Sequence, residues 1–402
     1  MFWMRSLVTL AVGASLLTLS GCGLGNARSS STDARLAAAQ AKRSRQVVTL
    51  GFRDVSQLAR LDDADIDLFE NVNLSARTVD AAVSEAGIRK LRAKGITVTR
   101  SIHADAYEAF AFPAGYRTVA QIQAELQQLA ADHPGVVKLQ EIGKSVQGRP
   151  LVAVCLSSKA GTGLPALLVS SGHHARELPP VELTMRYIRT MAEGYGKDPV
   201  VSRLLDSREV WVMPLVNPDG RARVEGGDSM WRKNMRPNGG GSTGVDTNRN
   251  ADDHFESGDK NPYSDAYQGS APFSEPETAA IRNLCERVPF KVALDIHCYG
   301  GMILWPPGYD RSVTPDDRTF KVIGTRLAKG GKYRAGTIAQ TIYQTFGDVA
   351  TWQYSKKKIL AFAAELDDGR FNPPYRQVDT DWSIWQDNLM YLTDVTGNLP
   401  NP

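Results

Sequence analysis

The sequence predicts an α/β domain with a mixed, largely parallel central sheet and helices on both faces, preceded by a small α+β domain. Two observations predict this fold. Apolar runs typical of strands alternate with helix-like runs over most of the chain, which is the pattern of parallel strands joined by helices. The length of 402 residues suits one large and one smaller domain, and 42% hydrophobic with 23% charged residues allows a sizeable core.

The first residues predict a lipoprotein signal peptide over residues 1–21. Arg5 is followed by an almost purely apolar or small run that is too short to span a bilayer. The run ends in Leu19-Ser20-Gly21-Cys22, which resembles the bacterial lipobox, whose cysteine is lipidated; an ordinary signal peptide with an incidental cysteine is the alternative. We therefore expect a membrane anchor at Cys22 and a flexible tether over residues 22–45. The expected location is the cell envelope, facing outside the cytoplasm, at the outer membrane and periplasm or at the cell surface.

Residues 46–103 form a small α+β unit. Their patterns predict strands over residues 46–52, 66–72 and 96–101, a short helix over 55–61 and a helix over 84–94 that ends at Gly95. This unit has no concentration of catalytic side chains. A linker is expected over residues 104–115, where Pro113 and Gly115 interrupt any regular element.

Residues 116–396 form the larger α/β domain. Thr118 can cap a first helix whose apolar residues recur at helical spacing. Strands are predicted over residues 151–156, 166–170, 209–216, 291–296 and 359–366, and helices over 181–192, 275–287 and 381–395. Ser274 with Glu277 predicts a capping box at the start of the second of these helices. In such sheets, ligands bind beyond the carboxyl ends of the strands.

Polar residues follow two of these strands directly. The strand over residues 166–170 runs into Gly172-His173-His174-Ala175-Arg176-Glu177, and the strand over 291–296 runs into His297. His174 and Glu177 are three residues apart, so one turn of chain could aim both at one point. Two imidazoles and a carboxylate with an open fourth position are typical of a catalytic zinc site. His173 is expected either to support the metal ligands from behind or to pack beside this site.

Further motifs follow in order along the chain. They are Trp231-Arg232-Lys233-Asn234, Val245-Asp246-Thr247-Asn248-Arg249-Asn250, Thr341-Ile342-Tyr343-Gln344 and Ala364-Glu365-Leu366. With these motifs the sequence closely resembles the zinc carboxypeptidases of the carboxypeptidase A/B type, the funnelins, over residues 113–395. Residues 46–103 resemble the propeptide domain of that family. The resemblance implies a metalloprotease, a hydrolase that acts in proteolysis.

The resemblance assigns one zinc ion to His174, Glu177 and His297. Zinc lowers the pKa of its bound water and polarises the scissile carbonyl. Glu365 would be the general base for that water and later pass the proton to the leaving amine. Independently of the resemblance, Glu365 ends an apolar strand, where an acid without a purpose would be costly.

The resemblance also assigns the substrate-binding residues. Arg232 would stabilise the oxyanion of the tetrahedral intermediate. Asn248 and Arg249 would bind the C-terminal carboxylate of the substrate, since a guanidinium pairs with both carboxylate oxygens. Tyr343 would close over the bound residue from a mobile loop, and Arg176 would contact upstream substrate residues at the mouth.

The side chain of the released residue needs a pocket. The family's spacing implies that its lining consists of Leu304, Gly308, Ile338, Thr345, Asp348, Ala350 and Ala363. Ala350 stands where members that prefer Lys or Arg usually keep an acid, so we expect an apolar or mixed preference. Asp348 and Asp295 are the alternatives, since either carboxylate could admit a basic residue.

The leading hypothesis is therefore a lipid-anchored zinc metallocarboxypeptidase that releases single C-terminal residues from peptides or proteins. One alternative has the same chemistry on cell-wall stem peptides, and another is a non-catalytic envelope peptide-binding protein. Whether residues 46–103 inhibit the enzyme or assist folding stays open, because residues 104–116 contain no Lys or Arg for a trypsin-like activation.

Composition excludes some partners. With 47 Lys and Arg against 44 Asp and Glu, the net charge of +3 is too balanced for a nucleic-acid partner. A monomer is expected. Beyond Cys22 the chain has Cys155, Cys285 and Cys298, an odd number that leaves at least one thiol unpaired or paired with another chain.

Overall fold

The computed structural model describes residues 45–58, 61, 65–100, 112–331, 333–367 and 369–400. The predicted signal peptide, Cys22, the tether up to residue 44 and the linker up to residue 111 lie outside the described residues. Across the described ranges, every helix is too short or too polar to cross a membrane.

The N-terminal unit is an antiparallel sheet with one helix. Its elements are β1 (Gln46–Gly51), a short 3-10 helix (Val55–Leu58), β2 (Ile66–Leu68), β3 (Thr78–Val83), α1 (Glu85–Ala93) and β4 (Thr97–Arg100). The strand order is β2-β3-β1-β4. The hydroxyl of Ser84 accepts a hydrogen bond from the Gly87 amide at 3.1 Å and so caps α1. Strand β3 was not predicted from the sequence, and the strand predicted over residues 66–72 covers only the three residues of β2.

The second unit alternates strands and helices. Its elements are α2 (Val119–Asp132), β5 (Val137–Lys144), β6 (Pro150–Leu156), β7 (Ala166–Ser171), α3 (Leu178–Gly194), α4 (Pro199–Ser207), β8 (Glu209–Met213), α5 (Pro218–Glu225), β9 (Pro237–Gly239), β10 (Ser242–Thr243), a 3-10 helix (Phe255–Ser257), α6 (Pro276–Arg287), β11 (Phe290–Cys298), β12 (Met302–Trp305), α7 (Asp317–Gly331), β13 (Arg334–Thr337), α8 (Ile338–Thr341), α9 (Val349–Lys357), β14 (Leu360–Leu366) and α10 (Arg376–Val395).

The central sheet has eight strands among the described residues, in the order β13-β12-β14-β11-β7-β8-β6-β5. The four central strands β14, β11, β7 and β8 are parallel to one another, and β13 is parallel to β12. The pairs β12–β14, β8–β6 and β6–β5 are antiparallel. The mixed, largely parallel sheet predicted from the sequence is confirmed.

Helices cover both faces of this sheet, also as predicted. Alternate side chains of a strand point to opposite faces, and in β7 they enter different cores. Leu167 and Val169 pack in a cluster with residues of α3, α7 and α10. Ala166 and Leu168 pack in a second cluster with residues of α6 and α9.

Predicted helix starts differ from the structure at α3, α6 and α10, and α10 begins at Arg376, five residues before the predicted residue 381. Helix α3 begins at Leu178, three residues earlier than predicted, because Pro179 and Pro180 fit into its first turn. The capping box predicted at α6 is wrong, since the N-cap is Glu275 and it forms no side-chain cap. The Ser274 hydroxyl instead donates to the Glu275 carboxylate at 2.9 Å.

The three cysteines of the described chain, Cys155, Cys285 and Cys298, are buried thiols. Burial raises the pKa of Cys155 and of Cys285 to about 12, so both stay protonated and unreactive at neutral pH.

Candidate active site

Parallel strands bring the candidate residues to one edge of the sheet. His297 lies near the end of β11, and Glu365 is its direct neighbour in the register of β14. His174 follows β7 after a sharp turn at Gly172, whose φ of +70° favours glycine. A Cβ on Gly172 would also lie 2.9 Å from Leu215. Glu177 is the N-cap of α3, which fixes its backbone beside His174.

His174, Glu177 and His297 converge on one point. The two carboxylate oxygens of Glu177 lie 2.6 Å from Nδ1 of His174 and 2.9 Å from Nδ1 of His297. One ligand atom from each of the three lies within 4.8 Å of the others, and all three side chains are buried. Two imidazole nitrogens and a carboxylate oxygen are the donors of catalytic zinc sites, so this donor set fits one zinc ion.

Each imidazole is held from behind by a second carboxylate. Nε2 of His174 lies 3.2 Å from Asp246 Oδ1, and Nε2 of His297 lies 2.8 Å from Asp295 Oδ2. The Ser170 hydroxyl in turn donates to Asp295 Oδ1 at 2.9 Å. Such carboxylates fix the tautomer and direction of metal-binding rings. The Asp295 carboxylate therefore interacts with His297 and Ser170. The sequence had also allowed Asp295 as an acid of the specificity pocket.

The charges of these carboxylates control the ring of His297. Burial opposes a charged imidazole, but the carboxylates of Asp295 and Glu177 outweigh it and hold the pKa of His297 well above its usual value. The neighbouring His173 is also buried, and burial lowers its pKa to about 4, so its ring is neutral. Its Nδ1 lies 3.1 Å from the Thr247 hydroxyl. This placement agrees with the position expected for His173.

Glu365 lies beside the metal ligands in a buried setting. Burial raises its pKa well above the usual value, and the carboxylates of Glu70 and Glu177 add to that increase. Its Oε2 has no hydrogen-bond partner within the described ranges. A buried carboxyl with an unused oxygen, facing a metal site, is suited to taking and returning a proton.

Arg232 is tied to the same cluster. Its Nη2 and Nε lie 2.9 Å and 3.0 Å from Oδ2 of Asp246. Asp246 thereby joins the metal ligand His174 to the arginine. The remaining Nη1 of Arg232 donates to Oε1 of Glu70 at 2.8 Å. The Arg232 side chain is 3% exposed, so its charge is stabilised by these two carboxylates and not by water.

Asn248, Arg249 and Tyr343 are the residues expected to hold the end of the substrate, and the first two line one cavity with the metal ligands His174 and His297. Asn248 Nδ2 is 3.2 Å from Nε2 of His297, and its Oδ1 accepts from the Val349 amide at 3.0 Å. Arg249 Nη1 donates to the Asn248 carbonyl at 2.8 Å. Tyr343 is buried in a cluster with apolar residues of the N-terminal unit, so in this state it is not exposed as a mobile loop residue would be.

The candidate specificity pocket is a cavity of about 30 Å³, and the metal ligands His174 and His297 form part of its lining. Leu304, Ile338, Ile342, Thr345, Asp348, Ala350 and Ala363 line it, together with Asn248 and Arg249. Asp348 is occupied, since Oδ2 accepts from the Thr345 hydroxyl at 2.8 Å and Oδ1 from the Thr351 amide at 2.8 Å. A Cβ on Gly308 would lie 2.5 Å from Asp348 Oδ2, which places Gly308 against this carboxylate. A larger cleft of about 540 Å³, lined also by Tyr343 and Leu58, adjoins the cavity at Arg249.

The N-terminal unit lies over the entrance. Asp67 forms an ion pair with both terminal nitrogens of Arg176, and the guanidinium of Arg176 lies 4.1 Å from the Phe371 ring. Arg176, placed by the sequence at the mouth of the site, is thus fully buried. Asp67 and Glu70 were not predicted as site residues. The available signal was that both acids interrupt an apolar run, the same signal that supported Glu365 independently of the family resemblance.

Comparisons with known proteins agree with this geometry. The zinc carboxypeptidase family model matches residues 122–387. Carboxypeptidase A1 of Sus scrofa is 32% identical over 303 residues, which cover 72% of this chain and 71% of that protein. Carboxypeptidase A1 of Rattus norvegicus is 33% identical over the same shares. Among solved structures, carboxypeptidase A from Helicoverpa armigera superposes with a TM-score of 0.77 at 20% identity, covering 88% of this chain and 97% of that chain.

Proposed function

The chain belongs to the zinc carboxypeptidase family and is a zinc metallocarboxypeptidase, and we propose that it releases single C-terminal residues from peptides with Glu365 as the general base. One observation carries the assignment of roles. One ligand atom from each of His174, Glu177 and His297 lies within 4.8 Å of the others, and the register of β11 and β14 sets Glu365 beside His297. When bound, zinc supplies a Lewis acid and a coordinated water of lowered pKa.

The remaining roles follow from position. Asn248 and Arg249 would bind the terminal carboxylate, because they line the cavity next to the metal ligands. Arg232 would stabilise the developing oxyanion, since Asp246 holds its guanidinium beside His174. Tyr343 would close over the released residue once it leaves its buried position. Arg176 would contact residues further upstream.

The test of the general base separates chemistry from metal binding. In enzyme freed of residues 46–103 by limited proteolysis, Glu365→Gln should keep one zinc per chain and lose roughly 10²–10⁴-fold in kcat. Glu177→Gln, the matched change in a metal ligand, should lose the zinc itself. Metal content by atomic absorption and kcat on one peptide give both readouts. A Glu365→Gln enzyme with more than a tenth of the wild-type kcat would rule out the assigned role.

For the pocket we propose an apolar preference. The walls at Leu304, Ile338 and Ala350 are apolar, and the carboxylate of Asp348 already accepts two hydrogen bonds. Burial raises the pKa of Asp348 above its usual value. Phe-ended peptides should be cleaved faster than Arg-ended ones, and Asp348→Asn should leave that ratio within about twofold. A ratio that shifts tenfold against Arg would instead assign Asp348 to recognition of basic residues.

We also propose that the enzyme is lipid-anchored at Cys22 in the cell envelope and faces outside the cytoplasm. The support is the lipobox-like sequence that ends in Cys22. Labelling cells with a radioactive fatty acid should mark the wild type and not Cys22→Ser. Label on both proteins, or on neither, would contradict the anchor. A monomer is expected in light scattering of the detergent-solubilised chain.

Finally, we propose that residues 46–103 keep the intact chain latent. The support is the burial of Arg176, Arg232 and Tyr343 beneath this unit. Activity on a peptide should be low in the intact chain and rise after limited proteolysis. Equal activity before and after cleavage would favour a folding aid.

A further inference from the structure

Two carboxylates of the N-terminal unit reach into the second unit from one short segment. Asp67 in β2 pairs with Arg176, and Glu70 pairs with Arg232. Both acids are 4% exposed. Between them, Phe69 packs edge-on against Phe371 with ring centroids 4.9 Å apart. The segment is therefore held rigidly, and its two acids are fixed at defined positions.

The two acids differ in what they face. Asp67 uses both oxygens on Arg176. Glu70 uses only Oε1, which accepts from Arg232 at 2.8 Å. Its Oε2 is buried and has no hydrogen-bond partner in the described part of the chain. Leaving a buried carboxylate oxygen unsatisfied is costly, so this oxygen calls for a functional explanation.

Glu70 lines the same cavity as His174, His297 and Glu365. Its carboxylate thus pairs with the arginine assigned to the oxyanion and borders the cavity of the residues assigned to the metal and the proton. A carboxylate resembles the oxygens of a tetrahedral intermediate in charge and in its affinity for a guanidinium.

We propose that Glu70 is an internal occupant of the oxyanion subsite: in the intact chain its side-chain carboxylate takes the place of the substrate's reacting carbonyl on Arg232. This inference rests on the proposed roles of Arg232 and the metal ligands. Glu70 carries no scissile bond at its side chain, so it occupies the subsite without being cleaved. Inhibition then depends on one charged group in the catalytic cavity, in addition to coverage of the entrance.

The size of the cavity agrees with an occupied subsite. With Glu70 in place, about 30 Å³ is left, which holds one or two waters, whereas ligand pockets begin at roughly 300 Å³. A small ligand that needs Arg232 must therefore displace Glu70.

The test uses the full zinc-loaded chain in detergent and a phosphonate-ended dipeptide analogue, which mimics the tetrahedral oxyanion. Its Kd is measured by calorimetry for the wild type, Glu70→Gln and Asp67→Asn. Glu70→Gln keeps the shape and removes the competing charge, so the analogue should bind about 10- to 100-fold tighter than to the wild type, the range for losing one charge-assisted hydrogen bond. Asp67→Asn disrupts an equally buried ion pair of the same segment. Because Asp67 does not line the cavity, this change should alter Kd by less than about threefold.

Two results would overturn the inference: an unchanged Kd in Glu70→Gln, or an equal gain in Asp67→Asn, which would indicate that only loosening of the N-terminal unit matters. If Glu70→Gln does not fold, the wild type still decides. Saturating analogue must displace Glu70, so amide hydrogen exchange of residues 66–72 should accelerate, and exchange unchanged at saturation would refute the proposal.

Different results would contradict the role of Glu70 and the proposed peptidase function. After limited proteolysis that removes residues 46–103, the wild type should cleave peptides and bind the analogue as tightly as the proteolysed Glu70→Gln chain. A proteolysed wild type without peptidase activity would contradict the proposed function. An active proteolysed enzyme, with no effect of Glu70→Gln in the intact chain, would contradict the role of Glu70 alone.

Discussion

Removing Asp295 should weaken zinc binding without touching a metal ligand. Its Oδ2 lies 2.8 Å from Nε2 of His297, and both groups are buried. The other close neighbour of that nitrogen is Nδ2 of Asn248 at 3.2 Å, an amide nitrogen that donates and cannot accept. In Asp295→Ala the ring therefore loses its acceptor and its orientation. Loss of such an outer partner costs about 10- to 100-fold in metal affinity, or roughly 1.4–2.7 kcal/mol.

The assay is competition for zinc with a chelator of known affinity, on the intact chain. Asp295→Ala should show the full loss and Asp295→Asn a loss nearer tenfold, because an amide oxygen can still accept from the ring. Asp348→Asn is the matched control, since Asp348 is equally buried in the same cavity but bonds to Thr345 and Thr351. If Asp295→Ala binds zinc within about threefold of the wild type, orientation by Asp295 does not govern metal affinity.

Three further results are expected. Burial raises the pKa of Glu277 from 4.5 to about 7, so the folded state binds more protons than the unfolded state between these values, and stability falls as pH rises through that window. Glu277→Gln should raise the free energy of unfolding by about 3 kcal/mol at pH 8 and change it little at pH 4. The difference in Tm between the two pH values should therefore be smaller in this variant than in the wild type. The exposed Glu286→Gln should leave that difference unchanged. Gly172→Ala should destabilise the fold by roughly 1–3 kcal/mol or more in chemical denaturation, and more than Gly148→Ala, where φ is also positive but the space is open; equal costs would contradict the contact with Leu215. Removing zinc with a chelator should lower Tm, since a metal that binds only the folded chain stabilises it, and an unchanged Tm would argue against that linkage.

The sequence was sufficient for the central strands of the large sheet, but not for its edge strand β13 or for β3 of the N-terminal sheet. β7, β11 and β14 are continuous apolar runs, the pattern of strands covered on both faces. β13 reads Arg-Ala-Gly-Thr and is a strand because β12 pairs with it over four residues. β3 contains Asp80 and two alanines, which have low strand propensity, and is set by pairing with both β1 and β2. Such strands depend on tertiary pairing that local patterns do not contain.

The same limit applies to the site. His174, Glu177, His297 and Glu365 could be predicted because each follows or ends a recognisable strand and belongs to a motif that resembles those of the zinc carboxypeptidases. The partnership of His174 with Asp246 joins residues 72 positions apart, and the pairing of Arg232 with Glu70 joins residues 162 apart and different units. Both are products of docking between elements. The acid within an apolar run was the one local signal for Asp67 and Glu70, and it does not specify a partner.

The most direct test of the central claim follows the masses of peptides that differ only in having a free or an amidated C-terminus, in enzyme freed of residues 46–103. We expect loss of single C-terminal residues from the free peptides alone, abolished by a chelator, restored by zinc, and absent in Glu365→Gln. Cleavage of amidated peptides at the same rate, internal cleavage, or activity that survives metal removal would contradict a zinc carboxypeptidase built on His174, Glu177, His297 and Glu365.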